Sequence, residues 1–396
     1  RVVTVAVPQR RPAVEAAPSS SVLAGCRPPA RTDVVRYWNA AAVAALRTGG
    51  ASEPVQARNL FDVSRAMWEA RRRTHSPAAV SFAAYRLLVW RASLDRNLQD
   101  TFADVTGRLR RLCYDQAYTS TRGDSPAAVG NRIAAAAIAA GRRDGSNEAL
   151  RYADTTYVSQ NAPLVLSQPG TTAHDPTFWQ PLALGRTGQR FEDAQWGRVR
   201  GFGARVLRTP ASPLGTPDTK AYRTAAVAVL RATAGTAPPL VDASPAGWND
   251  VARTLPSAGV AQELRRLLAL NGALHDAAIA TWRAKRGSQA PRPVSMIRAV
   301  AFAGRLPAHV RKRGRVVRTT LWTSPSPTPA SPGGVSEDAA FAGAAQAVLG
   351  HAVARQATAR ADAGLARGID TPAAVAAGRD LGRRAGERAL RLASAP

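Results

Sequence analysis

Hydrophobic residues recur every three or four positions along most of the chain from Thr32 onwards, which predicts α-helices. The first segment begins with Thr32 as an N-cap and carries its apolar residues on one face: Val34, Val35, Trp38, Ala42 and Leu46. Helices are predicted at 32–47, 54–73, 77–95, 126–142, 257–286, 337–355 and 372–392, and the same helical pattern occurs at 98–116 and resumes at about 221. No alternating pattern is long enough to build a sheet, so the chain is predicted to be all-α.

Two long segments lack helical periodicity. Residues 153–220 and 311–334 are rich in proline and glycine, and the first also holds many aromatic residues. The first segment is too hydrophobic to be a tether between domains, so it is predicted to be an ordered loop region. Residues 1–31 carry five prolines and no helical period, which indicates an extended arm. The predicted organisation is therefore this arm followed by a single domain over 32–396, with two C-terminal helices after the second loop.

The chain is strongly basic, with 54 basic and 27 acidic side chains and a net charge of +27. Such a surface attracts an acidic polymer or another anionic surface, including nucleic acid, anionic lipid or acidic polysaccharide. A GC-rich coding bias would produce the same excess of arginine without any polyanionic partner. The arginines are spread along the helices and no specific nucleic-acid motif is present, which argues against a dedicated nucleic-acid groove.

The start of the chain and its two cysteines bear on the compartment. The sequence begins at Arg1, so we expect that an N-terminal segment has been removed during export or, alternatively, during import into an organelle. Cys26 and Cys113 form one disulfide in an oxidising compartment, or else they are two free buried thiols. No run of 18 or more apolar residues occurs, so no transmembrane segment is predicted. The expected location is extracellular.

Lys285 is one of only three lysines, against 51 arginines, and it occupies an unusual position. It continues the apolar stripe of a helix predicted over residues 263–287, where an ammonium group needs a counter-charge. Arg292 follows just beyond the helix end, between Pro291 and Pro293. Two cations held in this way indicate an oxyanion site. The alternative is that Lys285 extends to the surface and that Arg292 has no special role.

The spacing Lys-x6-Arg-Pro, from Lys285 to Pro293, resembles the first signature of the vanadium-dependent haloperoxidases. Their superfamily includes the bacterial class A acid phosphatases and the type 2 phosphatidic acid phosphatases. The segments "VVRYWNAAAVAALR", "NGALHDAAIATWRAKR" and "TPASPGGVSEDAAFAGAAQAVL" resemble helices of the same family in the same order, and the likeness to its bacterial secreted branch covers about 32–396. The resemblance implies a haloperoxidase-like helical bundle with long irregular loops.

The resemblance also implies where the active-site residues stand. In the family's enzymes a lysine, two arginines, a serine and a glycine amide hold vanadate or phosphate. One histidine bonds the metal or attacks phosphorus, and another acts as acid and base. Here Ser336 matches the serine, but Glu337 replaces the glycine and Asp338 replaces the acid/base histidine. Gly364 stands where the second arginine belongs, and Asp370 stands where the vanadium-binding histidine belongs.

These replacements predict a degenerate pocket. A carboxylate about 4 Å from an oxyanion costs roughly 4 kcal/mol at an effective dielectric near 20, so tight vanadate binding is expected to be lost. Lys285, Arg292 and Ser336 are the candidate anion-binding residues, and the two cations are expected to pair with Glu337, Asp338 or Asp370. No catalytic residue or metal ligand is assigned, and vanadate is expected as a cofactor only if the chain is active.

Three functions follow from this reading. The first is a non-catalytic structural or binding protein that contacts other protein subunits through its N-terminal arm and the proline-rich loop "SPSPTPASP" at 324–332. The second is an active, oxyanion-dependent haloperoxidase or acid phosphatase. The third is a non-oxidative enzyme that uses Asp338 and Asp370 as acid and base, with Lys285 and Arg292 as electrophiles.

Overall fold

The computed structural model describes residues 20–29, 32–94, 99–154, 156–203, 207, 215–236, 239 and 241–395. Most of the predicted N-terminal arm, namely residues 1–19, 30 and 31, lies outside the described residues. The helices are α1 (Val34–Thr48), α2 (Glu53–Thr74), α3 (Pro77–Ser93), α4 (Gln99–Arg111), α5 (Pro126–Gly141), α6 (Lys220–Ala232), α7 (Pro245–Thr254), α8 (Val260–Ser288), α9 (Pro293–Phe302), α10 (Glu337–Leu349), α11 (Ala354–Ala366) and α12 (Pro372–Ser394). The prediction of a mostly helical fold is confirmed.

Side-chain caps explain where several helices begin. Asp33, rather than the predicted Thr32, caps α1, because its carboxylate accepts hydrogen bonds from the backbone N–H groups of Val35 and Arg36. Ser76 caps α3 and Thr371 caps α12, and in both helices a proline fills the first position, where no N–H donor is needed.

The prediction of one helix over 337–355 is wrong, because the chain turns within it. Helix α10 ends at Leu349, and Gly350 follows with a φ of 81°, a conformation that favours glycine and stops a helix. A 3₁₀ turn at His351–Val353 then leads into α11. Three helices rather than two therefore close the chain, and the additional turn positions the segment before Asp370.

A short β-hairpin that the sequence pattern did not predict overlaps the start of the second irregular segment. Strand β3 (His309–Lys312) pairs antiparallel with β4 (Arg315–Arg318), following the small pair β1 (Ala183–Leu184) and β2 (Thr187–Gly188). Arg313 and Gly314 form the turn between β3 and β4, both with positive φ, as a tight hairpin requires. Four-residue strands rich in arginine give too weak an alternation to be recognised in advance.

Helix α8 lies at the centre of the fold and packs against α2, α10 and α12. Helices α10 and α12 approach each other closely because α12 presents glycine at three successive turns: Gly378, Gly382 and Gly386. A Cβ atom at Gly382 would collide with the backbone carbonyl of Ala340. This close packing fixes the N-terminal end of α10, with Glu337 and Asp338, beside the C-terminal end of α8.

Cys26 and Cys113 form a disulfide, which decides between the two alternatives that the sequence left open. The backbone reinforces the link, because Leu23 N–H donates to the Cys113 carbonyl at 2.9 Å and Asp115 N–H donates to the Ser21 carbonyl at 2.9 Å. The segment before α1 is thereby attached to the chain just beyond α4.

Reducing this disulfide should destabilise the protein, because the bond closes a loop with a sequence separation of 87 residues. Removing a native disulfide of this kind costs about 2–5 kcal/mol. Urea unfolding with and without reductant measures the loss, and the double variant Cys26→Ser/Cys113→Ser should show a similar loss and no further response to reductant. Equal stability of the oxidised and reduced protein would contradict this prediction.

Candidate functional site

The two candidate cations lie together at the C-terminal end of α8. Lys285 is in the last turn of this helix, and Arg292 is the residue immediately before Pro293 at the start of α9. Both side chains are fully buried, with 0% of their surface exposed. The alternative in which Lys285 extends into solvent is therefore wrong.

Glu337, the first residue of α10, connects these cations. The Lys285 Nζ atom lies 2.9 Å from Glu337 Oε2, and the Arg292 Nη2 atom lies 3.1 Å from Glu337 Oε1. One carboxylate therefore bridges both positive charges, one oxygen atom to each. The ion pairs expected from the sequence are present.

The remaining donors of both cations also find acceptors within the chain. Lys285 Nζ donates to the Pro332 carbonyl at 2.7 Å and to Ser331 Oγ at 3.3 Å. Arg292 donates to the Ser331 carbonyl and to Ser331 Oγ, both at 2.8 Å, to the Ile369 carbonyl at 3.1 Å and to Asp370 Oδ1 at 2.9 Å. With its Glu337 contact, Arg292 uses all five of its N–H donors, whereas Lys285 makes these two hydrogen bonds beside its ion pair with Glu337. Arg292 therefore has no donor left for an external anion.

Asp338 pairs with a residue that the sequence reasoning missed. Its carboxylate contacts the guanidinium of Arg367, just beyond α11, and makes no ion pair with Lys285 or Arg292 among the described residues. The position of Arg367, three residues before Asp370, was the available signal. Asp338 therefore belongs to a second ion pair beside the first.

Gly364 and Asp370 are directly related in space. A Cβ atom at Gly364 would collide with Oδ2 of the Asp370 carboxylate. The backbone N–H of Asp370 also donates to the Gly364 carbonyl at 3.2 Å. Asp370 therefore occupies the space into which a side chain at position 364 would project, and an arginine there would displace it.

Ser336 caps α10, since its Oγ accepts a hydrogen bond from the Ala339 N–H at 3.3 Å. Its own N–H donates to the Ala374 carbonyl at 3.0 Å, which ties α10 to α12. Among the described residues, no hydrogen bond joins Ser336 to Lys285 or Arg292, although its side chain is fully buried in the same region. The structure gives Ser336 a structural role, and its role in anion binding stays a prediction.

The carboxyl groups differ in their ionisation. Burial alone would raise the pKa of Glu337, but the charges of Lys285 and Arg292 outweigh it and hold this pKa well below its usual range. Burial raises the pKa of Asp338 to about 7 despite Arg367, and Glu337 and Asp370 add to the rise. Burial and the charge of Glu337 likewise raise the pKa of Asp370. Glu337 is therefore the firmly ionised member of the cluster.

A cavity of about 260 Å³ lies against this cluster, and its walls are acidic. Glu53, Glu192, Glu337 and Asp338 line it, with Arg367 as the cation among the lining residues. Burial, Asp338 and Glu337 raise the pKa of Glu53 well above its usual range. Glu53 is the first residue of α2, and nothing in the sequence around it had indicated that it belongs to the site. Lys285, Arg292 and Asp370 do not line the cavity, so any molecule entering it meets carboxylates first.

The chain resembles known proteins both in part of its sequence and in its fold. The family model described as "VCPO second helical-bundle domain" matches residues 265–360. A bacterial vanadium-dependent chloroperoxidase in its holo form superposes with a TM-score of 0.70 at 17% identity, covering 86% of this chain and 92% of that one. The fold is that of the vanadium haloperoxidases. The apo form of a bacterial vanadium-dependent chloroperoxidase gives a TM-score of 0.69 at 17% identity, with 86% of this chain and 93% of that one covered.

A bacterial vanadium-dependent iodoperoxidase gives a TM-score of 0.64 at 15% identity, covering 92% of this chain and 98% of that one. No curated protein sequence matches the chain. The resemblance inferred from the Lys285–Pro293 motif is confirmed by these comparisons. The family model includes the positions from Lys285 to Asp338, whereas Gly364 and Asp370 lie beyond the matched residues.

The Lys285–Glu337 pair should show strong energetic coupling. Removing one partner of a buried pair costs about 3–5 kcal/mol, because the other charge is left without compensation. We therefore expect Lys285→Met and Glu337→Gln each to lower the free energy of unfolding strongly, and the double variant to lose at least about 1 kcal/mol less than the sum. Chemical unfolding of the four proteins measures the coupling.

The exposed pair Arg73–Glu69, one turn apart on α2, is the matched control for this cycle. Its coupling should be no more than about 0.5 kcal/mol, as for other solvent-exposed helix pairs. Additive losses at Lys285 and Glu337 would show that the bridge contributes no coupling energy.

The stability contributed by Asp338 should fall as pH rises. Its pKa of about 7 in the folded protein exceeds that of an ordinary aspartate, so the folded state binds more protons between these two values. Protonation therefore favours folding at low pH, and this advantage is lost as pH rises towards 7. We expect Asp338→Asn to reduce the decline in unfolding free energy between pH 5 and pH 8 by on the order of 1 kcal/mol or more.

Urea unfolding at both pH values checks this, with the fully exposed Asp124→Asn as a control of equal charge change. Asp124→Asn should leave the decline as it is in the unsubstituted protein. An identical pH dependence in Asp338→Asn would mean that Asp338 titrates normally.

Proposed function

We propose that this vanadium haloperoxidase-like chain is a non-catalytic binding or structural protein whose oxyanion pocket is filled by its own carboxylates. The observation that carries the proposal is the bridge from Glu337 to both Lys285 and Arg292. All five N–H donors of Arg292 are directed to oxygen atoms of the chain itself, and Lys285 makes two hydrogen bonds within the chain beside its ion pair with Glu337. The anion that compensates them is internal, so no external oxyanion is needed for the fold.

The residues present do not fit vanadate. The donors that would hold its oxygen atoms are engaged with Glu337, Asp370, Ser331 and backbone carbonyls. By the family resemblance, Asp370 stands where the histidine that bonds the metal belongs. A bound oxyanion would also face the negative charge of Glu337, at a cost of roughly 4 kcal/mol for a separation of about 4 Å. That cost corresponds to about a thousandfold in affinity.

The two enzymatic alternatives have weaker support. An active haloperoxidase or acid phosphatase needs an oxyanion on Lys285 and Arg292, and Glu337 holds that position. Acid/base chemistry is favoured only by Asp338, which lines the acidic cavity and has a pKa of about 7. Asp370 does not line this cavity, and neither Lys285 nor Arg292 is available there as an electrophile.

Location and partners follow from coarser observations. The Cys26–Cys113 disulfide is typical of oxidising compartments, and the matched structures are bacterial peroxidases. Within the described residues, no helix has the length and apolar character to cross a membrane. We propose that the protein is extracellular, and that the N-terminal arm or the basic surface mediates contact with protein subunits or an acidic polymer.

Glu337→Gly should convert the site into one that binds oxyanions, because it frees Lys285 and Arg292 and removes the internal anion. Calorimetric titration with orthovanadate should give at least a tenfold higher affinity for Glu337→Gly than for the unsubstituted protein, well within the electrostatic cost removed. The unsubstituted protein should not brominate a phenolic dye with vanadate, bromide and peroxide.

The double variant Lys285→Met/Glu337→Gly is the control, and it should lose the gained affinity. Circular dichroism must show retained helix in each variant, and Glu337→Gln provides a second variant that keeps the side-chain size. Vanadate-dependent bromination by the unsubstituted protein, abolished by Lys285→Ala, would overturn the proposal and support an active enzyme.

A further inference from the structure

A second cavity lies between α1, α2 and α3, away from the Lys285–Glu337 bridge. Its volume is about 260 Å³, and none of Lys285, Arg292, Glu337 and Asp370 lines it. It shares only Ala51, Ser52 and Glu192 with the acidic cavity described above. An apolar cavity of about 150 Å³ in another protein holds benzene, so this one is large enough for a small organic molecule.

Most of the cavity wall is hydrocarbon. Leu46, Val55, Val63, Leu88 and Leu94 line it together with alanine residues of α1 and α3. Small-molecule sites commonly combine such a wall with a few convergent polar groups. The wall therefore favours a ligand whose larger part is apolar.

Asp193 supplies the polar end. Its side chain is largely buried, with 8% of the residue exposed, and its Oδ2 atom accepts a hydrogen bond from the Ser52 hydroxyl at 2.5 Å. The other oxygen, Oδ1, accepts no hydrogen bond among the described residues and is not sealed off from solvent. Asp193 thus offers an accessible acceptor at a cavity wall that is otherwise mostly apolar.

The cations around this cavity are less available than Asp193. Arg91 forms ion pairs with Asp62 and Glu148 and donates a hydrogen bond to Asn59, so its positive charge is compensated within the chain. Arg151 is exposed to solvent, where water screens its charge. Glu192 adds a negative charge on the exposed side. The charges of the residues around the cavity therefore favour a cationic ligand over an anionic one.

Backbone geometry also marks this site. Arg151, Tyr152 and Asp193 line the cavity with φ values of 52°, 63° and 56°, in the left-handed region that bulky residues seldom adopt. Strain of this kind concentrates at binding sites and persists only where surrounding contacts enforce it. Asp193 therefore combines a left-handed backbone conformation with a carboxylate at the cavity wall.

We infer that this cavity is a binding site for a small organic amine, with the ammonium group on Asp193 and the hydrocarbon part against α1, α2 and α3. Burial raises the pKa of Asp193 to about 7, although the Ser52 hydrogen bond opposes the rise. With this pKa, the carboxyl group is mostly neutral below pH 7 and mostly ionised above it, and only the ionised form attracts an ammonium group strongly. Affinity for the amine therefore increases as pH rises through about 7. The inference does not depend on whether the Glu337 pocket is catalytic.

Three probes of matched shape test the site: cyclohexylamine, cyclohexanol and cyclohexanecarboxylate, each titrated by calorimetry at pH 8. We expect the amine to bind at least tenfold more tightly than the carboxylate, and at least threefold more weakly at pH 5 than at pH 8. Asp193→Asn should weaken amine binding at least tenfold and leave cyclohexanol within threefold of its original affinity. The control Asp124→Asn, at an exposed site, should change neither.

Filling the cavity provides a second test that does not alter Asp193. Ala45→Leu adds bulk at the cavity wall and should weaken both the amine and the alcohol, whereas Ala44→Leu on the exposed side of α1 should weaken neither. No amine binding by the unsubstituted protein, equal binding of amine and carboxylate, or unchanged amine affinity in a folded Asp193→Asn would each overturn the inference.

Discussion

The carboxylate of Glu337 compensates two positive charges, Lys285 and Arg292, that lie in the core without access to water. An isolated ammonium or guanidinium in such a place is very costly, and it is tolerated only with a close partner and satisfied hydrogen bonds. The bridge supplies the close partner, with distances of 2.9 and 3.1 Å, and all five donors of Arg292 have acceptors within the chain. The packing of α8, α9 and α10 around this point depends on it.

The same contacts are the basis of the proposal that this haloperoxidase-like fold does not bind an oxyanion here. In a site built for vanadate or phosphate, the buried cations stay uncompensated until the anion arrives. Here the compensation is covalently part of the chain, through Glu337 and Asp370, and the cavity outside is acidic rather than basic. The overall charge of +27 does not extend to this site, which shows how little the net charge says about local potential.

Most of the residues in the site could be predicted from the sequence because they lie at characteristic spacings. Lys285 stood out as a lysine on an apolar stripe, and the family resemblance supplied positions for Ser336, Glu337, Asp338 and Asp370. Arg367 was missed because one arginine among 51 does not stand out by residue type, and its pairing with Asp338 depends on the turn after α11. Ser331, which accepts from both cations, was missed because a hydroxyl in a proline-rich loop carries no periodic pattern.

In the fold, too, the features set by local sequence were predicted, whereas those that depend on tertiary contacts were missed. Long amphipathic helices such as α2 and α8 were predicted to within three residues at each end, because their pattern is set by burial of one face or stripe. The break at Gly350 was missed because the flanking segments are alanine-rich and would continue a helix equally well. Neither the acidic cavity nor the cavity between α1, α2 and α3 could be predicted, since each is lined by residues brought together from distant segments.

The most direct test of the account is a crystal structure of the protein soaked in orthovanadate. The account predicts that the Glu337 carboxylate remains between Lys285 and Arg292, with no tetrahedral or trigonal density beside them. Vanadate density in contact with Lys285 and Arg292, with Glu337 displaced from the bridge, would contradict the claim that the chain supplies its own anion.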